Sequence, residues 1–475
     1  MGRDKYRAAS APTYTHTRGR RSDRIRSHYD PVVINRERAL HIVAWTAFVL
    51  ALVYFLWRGV WRGAVDSGDL SIGSSSSDLA IAFSAARAWL IGHNPYDVAV
   101  LHNELASAGG GNLANTGLLE TLRNVYFPVT LPIFVPFALV PWPAARVLAV
   151  LINAGASVFI ALGGCRLLEW RLTSSKALAL TAFLLAWAPV QTTLASGQTG
   201  VAATAAVVAA VLLERSGRAS ASGVMYGIAT AIKVQIGLPF IAYLLWRRRW
   251  ASALASCLVL GASTVVSVVR MQVAGAPWLN AWLANMALVS GSGGINDPSL
   301  QNPERFSLIN LQYPLSSLSG NSAVVELLTL SAVGVTALAF VWVHRDRDPH
   351  PDLLALAVVA VLGLLVVYHR DYDAVLLAIP VVWGCSVMGT ARWRQGAIVL
   401  ALCADFFLRA QTGLQVIGQR QILPSWLTSG VFWNTFVLAQ HVWALVLMAI
   451  VLLVAAAKNG NTRATGDGVV SKPAG

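Results

Sequence analysis

Charge is what this sequence has least of. Asp, Glu, Lys and Arg make up 12% of its residues, against about 25% in a typical soluble domain. Too few charged side chains remain to cover a water-exposed surface. Cysteine is scarce as well: Cys165, Cys257, Cys385 and Cys403 all fall within or beside apolar runs. The sequence therefore predicts no disulfide framework and no zinc site, and the four read as small core residues. There is no Walker phosphate loop, G-x-S-x-G elbow, H-E-x-x-H helix or C-x-x-C pair. Those absences remove the P-loop NTPases, the α/β-hydrolases, the zincins and the thiol redox enzymes.

What is present is apolar length. Hydrophobic residues make up 56% of the 475 positions, mean hydropathy is +0.59, and long apolar runs recur from Leu40 to Val454. A bilayer core of about 30 Å calls for such runs. The expected fold is an all-α polytopic membrane protein with about twelve spans, near 40–58, 144–167, 176–195, 199–213, 222–233, 235–246, 251–270, 321–343, 352–368, 372–389, 394–410 and 434–457. The fifth and sixth are short, meet at Lys233–Val234–Gln235, and read as a broken or re-entrant pair. Residues 126–141 are apolar but too rich in proline for a regular span.

Net charge is +14 and unevenly placed: residues 1–38 carry ten Lys/Arg against four acids. In so apolar a chain this tail reads as a disordered cytoplasmic topology signal rather than a nucleic-acid arm. With the N-terminus inside, the basic connections at Arg166/Arg171/Lys176, Arg215/Arg218, Arg247–Arg249, Arg345/Arg347, Arg392/Arg394 and Lys458/Arg463 all fall on the same side, as the positive-inside rule asks. The organisation expected is a tail over 1–38, a membrane domain over 39–457 with outer loops 59–143 and 271–320, and a second inner tail over 458–475. The plasma membrane is the expected location, with the long loops outside.

Candidate chemistry lies mostly on that outer side. Asp78 opens a segment with helical apolar spacing at Leu79, Phe83, Ala86 and Leu90, capped by Ser77 and stopped by Gly92 and Pro95. The pattern predicts an amphipathic helix on the outer membrane surface. Its carboxylate is either a partner for the helix dipole or a general base. Lys233 lies in an apolar stretch, where an ionisable group either snorkels or meets an anion. Tyr368–His369–Arg370–Asp371–Tyr372–Asp373 opens a span; it is either an interfacial anchor or a site in which His369 and Asp373 share a helix face. Gly197–Gln198–Thr199–Gly200 reads as a tight turn, with Gln198 free to bond a sugar hydroxyl. Asp405 and Arg409, four apart, read as an ion pair within one span. Asp346–Arg347–Asp348 reads as a solvated inner charge run.

The order of these segments resembles glycosyltransferase family 87, of the GT-C superfamily of polyprenyl-phosphate-sugar-dependent mannosyl- and arabinosyltransferases. The resemblance rests on Asp78, then Gly92–His93–Asn94–Pro95–Tyr96–Asp97, Tyr126–Phe127–Pro128, Gly197–Gln198–Thr199, Lys233–Val234–Gln235 and His369–Arg370–Asp371–Tyr372–Asp373. The family often shows Y-P-P where this chain has Tyr126–Phe127–Pro128, and Asn where it has Gly200. The resemblance implies a GT-C-like bundle with an outer cavity roofed by loop helices, no cofactor and no metal. It further implies inverting transfer of mannose, another hexose or arabinofuranose from a polyprenyl-phosphate donor to a cell-envelope glycolipid or polysaccharide. On this reading Asp78 is the base. Lys233, Arg370 and His369 hold the donor phosphate, while Asn94, Tyr96, Tyr126, Gln198, Asp371 and Asp373 bind substrate. Membrane lipids are the other expected partners. The alternative is a transporter or flippase for a lipid-linked glycan or small solute. That would require polar residues strung along several spans, whereas here they gather at outer helix ends.

Overall fold

The computed structural model describes residues 31–65, 76–114, 116, 118–344 and 352–464. Most of the expected basic tail, the end of the C-terminal tail and Asp346–Asp348 lie outside the described residues. The described residues are built of helices, with a lone antiparallel bridge between Leu308 and Arg370.

Among the described residues, five helices are long and apolar enough to cross a membrane: Arg36–Ala64, Trp142–Leu167, Trp250–Val273, Ser322–Val343 and Gln440–Ala457. Two bent pairs raise the number to seven. They are Ser175–Ala186 with Ala188–Ser196, bent by 45°, and Trp393–Phe407 with Ala410–Gln419, bent by 48°. Pro189, at the start of the Ala188–Ser196 helix, explains the first break, since it cannot donate a hydrogen bond into the preceding turn. Large apolar side chains on the outer helices face outward, among them Leu254, Leu258 and Val265, and Leu327, Leu338 and Trp342. In water so wide an apolar surface would aggregate; against lipid it is the required finish.

The short apolar helices Ala219–Ile232 and Val234–Trp246 fold back on one another at Lys233. A Cβ on Gly237 would stand 2.2 Å from the Thr230 hydroxyl oxygen, so only glycine allows the two helices to approach this closely. Gly223 does the same against the Trp250–Val273 helix, where a Cβ would come 2.2 Å from the Ser252 carbonyl oxygen.

The first outer segment differs from the surface helix expected of it. The Ser77–Leu90 helix is buried at nearly every residue, Arg87 being an exception. Its alanines at 80, 82, 85, 86 and 88 let neighbours approach on all faces, and Phe83 packs edge-on to Trp142 at 5.2 Å. This helix centres a second apolar core, joined by Leu101, Leu105, Leu119, Phe134 and Met271. The cap also moves: Ser76 precedes the helix in a left-handed conformation, and its hydroxyl donates to the Gly63 carbonyl at 3.1 Å instead of capping. Cys257 is exposed, whereas Cys165 and Cys403 are core residues, and all four cysteines are free thiols.

Gly237→Val should separate the two helices flanking Lys233 and cost about 1–3 kcal/mol. A lowered thermal midpoint in detergent is the expected result, and an unchanged midpoint would contradict this packing.

Candidate active site

Three close approaches set the position of Asp78. The Ser76 amide donates to the Ala195 carbonyl at 2.9 Å, and the Ser76 hydroxyl reaches Gly63. The start of the helix is thereby held between the end of the first span and the Ala188–Ser196 helix. Gly197 then turns the chain with φ of +71°, and a Cβ there would meet Leu79 at 2.7 Å. The turn therefore needs glycine on two counts. Asp78 is 8% exposed, and that remnant opens into a cavity of about 130 Å³, room for several waters.

The cavity walls come from four regions. Asp78, Arg123 and Tyr126 belong to segment 59–143, and Asn296, Glu304 and Ser307 to segment 271–320. Gln198, Lys233 and Gln235 come from the turn and the helix break, and Arg370, Asp371, Asp373 and Arg409 from the last third of the chain. Ionisable groups are balanced there: Arg123, Lys233, Arg370 and Arg409 against Asp78, Glu304, Asp371 and Asp373.

Lys233 is neither helical nor solvated. With φ of −150° it joins the two short helices, and its side chain is 5% exposed. It donates to Asp373 Oδ1 at 2.5 Å and to Gln198 Oε1 at 3.2 Å, and it lies 4.7 Å from the centre of the Tyr372 ring. The other Asp373 oxygen meets His369 Nδ1 at 3.0 Å. Gln198 completes the ring by donating to the Tyr372 hydroxyl at 3.1 Å.

Arg370 keeps neutral company. Its guanidinium donates to the Ser307 hydroxyl at 2.7 Å and the Ile295 carbonyl at 2.6 Å. The adjacent backbone pairs with the outer loop through Ile309 N–H to His369 O at 2.9 Å. Asp371 accepts from Arg409 Nε at 2.6 Å and from Gln411 at 3.4 Å.

Burial raises the Asp78 carboxyl above the ordinary carboxylate range. The Gln198 side chain and the charges of Arg370 and Lys233 pull it back, while Asp373 adds to the rise. A carboxylate of raised basicity facing guanidinium groups across a small cavity is equipped to accept a proton near a bound anion.

Seven of the ten residues picked from the sequence line this cavity: Asp78, Tyr126, Gln198, Lys233, Arg370, Asp371 and Asp373. His369 is fully buried and addresses Asp373. Asn94 and Tyr96 lie behind the wall. Asn94 Oδ1 accepts from the Tyr96 amide at 3.1 Å, and the Tyr96 hydroxyl donates to the Tyr126 carbonyl at 3.0 Å. Asn285 supports the same segment, reaching the Tyr96 and Asn124 carbonyls. Sequence reasoning passed over Arg123, Glu304 and Ser307 as cavity residues, since nothing in their local pattern marks them, and it gave Gln235, the end of Lys233–Val234–Gln235, no site role. Arg409 was misassigned. The helix breaks after Ala404 and Leu408 is extended, so the four-residue spacing does not bring Arg409 to Asp405, and Arg409 turns to Asp371 instead. Among the described residues, no three His, Cys, Asp or Glu side chains gather as a metal site would require.

Fold and site together define a multi-pass, all-helical membrane protein with a charged cavity built from its loops and helix breaks. The model of glycosyltransferase family 87 matches residues 124–368, just over half of the chain, and the protein belongs to that family. It is 26% identical over 459 residues to the polyprenol-phosphate-mannose-dependent alpha-(1-2)-phosphatidylinositol mannoside mannosyltransferase of Mycobacterium tuberculosis (strain ATCC 25618 / H37Rv). That alignment covers 92% of this chain and 96% of the relative. No solved structure matches the chain.

Breaking the Lys233–Asp373 pair from one side should cost about 3–5 kcal/mol, because a buried charge is left unanswered. Thermal unfolding of Asp373→Asn, Lys233→Gln and the double variant would measure it. The double variant should recover part of the loss, and strict additivity would show that the two side chains do not interact.

Proposed function

We propose that this glycosyltransferase transfers a sugar from a polyprenyl-phosphate donor to a membrane-held acceptor on the extracytoplasmic side, with inversion and with Asp78 as the general base. One observation carries the reading: the carboxylate of raised basicity and the cations Arg370, Lys233 and Arg123 line the same cavity. The Asp78 carboxylate takes the proton from the acceptor hydroxyl, and the freed oxygen attacks the anomeric carbon. The bond from that carbon to the phosphate oxygen breaks, and polyprenyl phosphate leaves with the electron pair. Arg370 and Arg123 are the best placed cations for that leaving charge, since their present partners are neutral. Lys233 is already neutralised by Asp373, and His369 supports that pair from behind. Tyr126 and Gln198 remain as sugar contacts, with Asp371 holding Arg409. The relative's name favours mannose as the sugar and a phospholipid glycoside as the acceptor.

Topology supports the outward placement. Twelve crossings arise if the two bent pairs each cross once and the short helices Gly200–Arg215, Ala219–Ile232, Val234–Trp246, Leu353–Val366 and Asp371–Val387 cross as well. The basic connections then share one side and the cavity lies on the other. A donor there arrives on a lipid carrier within the same bilayer, through a lateral opening. In a Cys257→Ser background, Gly320→Cys should react with a membrane-impermeant maleimide on intact cells. Thr173→Cys should react only after permeabilisation, and the reverse pattern would overturn this orientation.

Transfer measured on purified protein in lipid, with polyprenyl-phosphate mannose and its arabinofuranose counterpart, tests the chemistry. Asp78→Asn should lower kcat by at least about 10²-fold with the fold intact. In the wild type, activity requires the deprotonated carboxylate. The raised pKa therefore places the acidic loss of activity at a higher pH than an exposed aspartate would give. Full transfer by Asp78→Asn would move the base elsewhere, and no transfer by the wild type from either donor would refute the reading.

A further inference from the structure

Arg123 reaches the cavity from a backbone conformation that long side chains seldom adopt. It closes the short helix Leu118–Leu122 with φ of +41°, a left-handed conformation that at a helix end ordinarily falls to glycine or asparagine. Such a residue persists only where its surroundings enforce it, and residues of this kind gather at functional sites. Three contacts enforce it here. The Arg123 amide donates to the Leu119 carbonyl at 3.0 Å. Asn124, fully buried, donates to the Pro95 carbonyl at 2.8 Å and accepts from the Tyr126 amide at 3.0 Å. The third contact is Asn285.

Asn285 sits on the helix Trp278–Ser290, which carries no charged residue and turns Leu279, Leu283 and Leu288 outward. The buried residues of this helix are Asn285 and Val289, so the polar side chain it buries is Asn285. One turn earlier, Trp282 donates to the Val125 carbonyl at 3.3 Å. The Asn285 amide nitrogen donates to the Tyr96 carbonyl at 2.9 Å and the Asn124 carbonyl at 3.1 Å. Both of its hydrogens are thereby committed, and the amide cannot turn over. Its oxygen is left facing Arg123 and accepts from Nη1 at 3.5 Å. A carboxylate in this place would cancel the charge of Arg123, and an apolar side chain would leave the guanidinium undirected. An amide fixes the direction and leaves the charge whole.

We propose that Asn285 is a positioning residue for the transfer: its locked amide oxygen aims the uncancelled guanidinium of Arg123 at the phosphate of the polyprenyl donor. This rests on the glycosyl-transfer reading above. Asn285 touches neither substrate and takes no part in the bond changes. It acts through Arg123, which meets the phosphate oxygens with its remaining N–H groups. The helix Trp278–Ser290 is thereby part of the donor site, although Asn285 itself does not line the cavity.

Binding of a short-chain polyprenyl phosphate to the detergent-purified protein, with no sugar and no acceptor, isolates this step. Arg123→Gln and Asn285→Asp should each weaken it about tenfold. Asn285→Ala should weaken it less, since alanine releases the guanidinium without cancelling it. The deciding comparison sets Arg123→Gln against Arg123→Gln/Asn285→Ala: once the guanidinium is gone, losing Asn285 should cost no further affinity. In the transfer assay, Asn285→Asp should raise KM for the donor and leave KM for the acceptor in place. Additive losses in the double variant would overturn the proposal, because a residue that only braced the loop would give that result. Wild-type affinity in a folded Asn285→Asp would overturn it too, and the alanine comparison carries the test where Asn285→Asp does not fold. A wild type that binds polyprenyl phosphate but transfers no sugar would refute the glycosyl-transfer reading alone, and the binding comparison would still decide the role of Asn285.

Discussion

The buried pair between Lys233 and Asp373 is the constraint on which the rest of this molecule depends. A lone ammonium or carboxylate at such burial costs several kcal/mol, so neither residue is tolerable without the other. Their meeting at 2.5 Å ties the break between two short helices to the entrance of a span 140 residues later. His369 occupies the second carboxylate oxygen, and Gln198 bridges Lys233 to Tyr372. The turn at Gly197 thereby joins the same knot, and Asp78 is packed against that turn. Stability and the placing of the Asp78 carboxylate are in this way one problem with one solution.

Much of this was legible in the sequence because it follows from local pattern. Apolar length announces the spans, Lys233 announces the break between short helices, and the glycines of 197–200 announce a turn. What failed was reasoning that needed a straight helix or a known neighbour. The Ser77–Leu90 helix has period-3.6 apolar positions, yet its alanines are small enough to be covered on every face, so an amphipathic pattern became a buried core. Asp405 and Arg409 have ion-pair spacing, but the chain leaves helical geometry between them. Asn94 and Tyr96 look like ligands by type, and the structure uses both to brace the carbonyl and backbone behind Tyr126. Arg123 and Glu304 carry no local signal, since they reach the cavity only because two loops separated in sequence close over it.

The two ends of the helical bundle use charge differently. At the end of the bundle that carries the basic connections, Glu214 pairs with Arg249, and His344 meets Asp352 at 2.5 Å. These pairs close helix ends beneath an apolar bundle. At the cavity end, the cations can be sorted by what they touch. Arg270 is spent on structure, donating to the Trp89 and Leu90 carbonyls and lying over the Trp89 ring. Arg305 likewise serves Ser317 and Asn434.

That sorting also ranks the cations facing the cavity. A cation already matched by a carboxylate has spent most of its field, and an arriving phosphate must compete for it. Lys233 and Arg409 are matched in this way, by Asp373 and Asp371. Arg370 is held by a hydroxyl and a carbonyl, which fix its direction without cancelling its charge. Its positive charge, like that of Arg123 beside the neutral Asn285 side chain, therefore reaches the cavity uncancelled by a carboxylate partner, across from the Asp78 carboxylate, whose burial has raised its appetite for a proton. Opposite demands, a free positive charge and a reluctant negative one, are satisfied at the two walls because one is bound through neutral partners and the other is stripped of water.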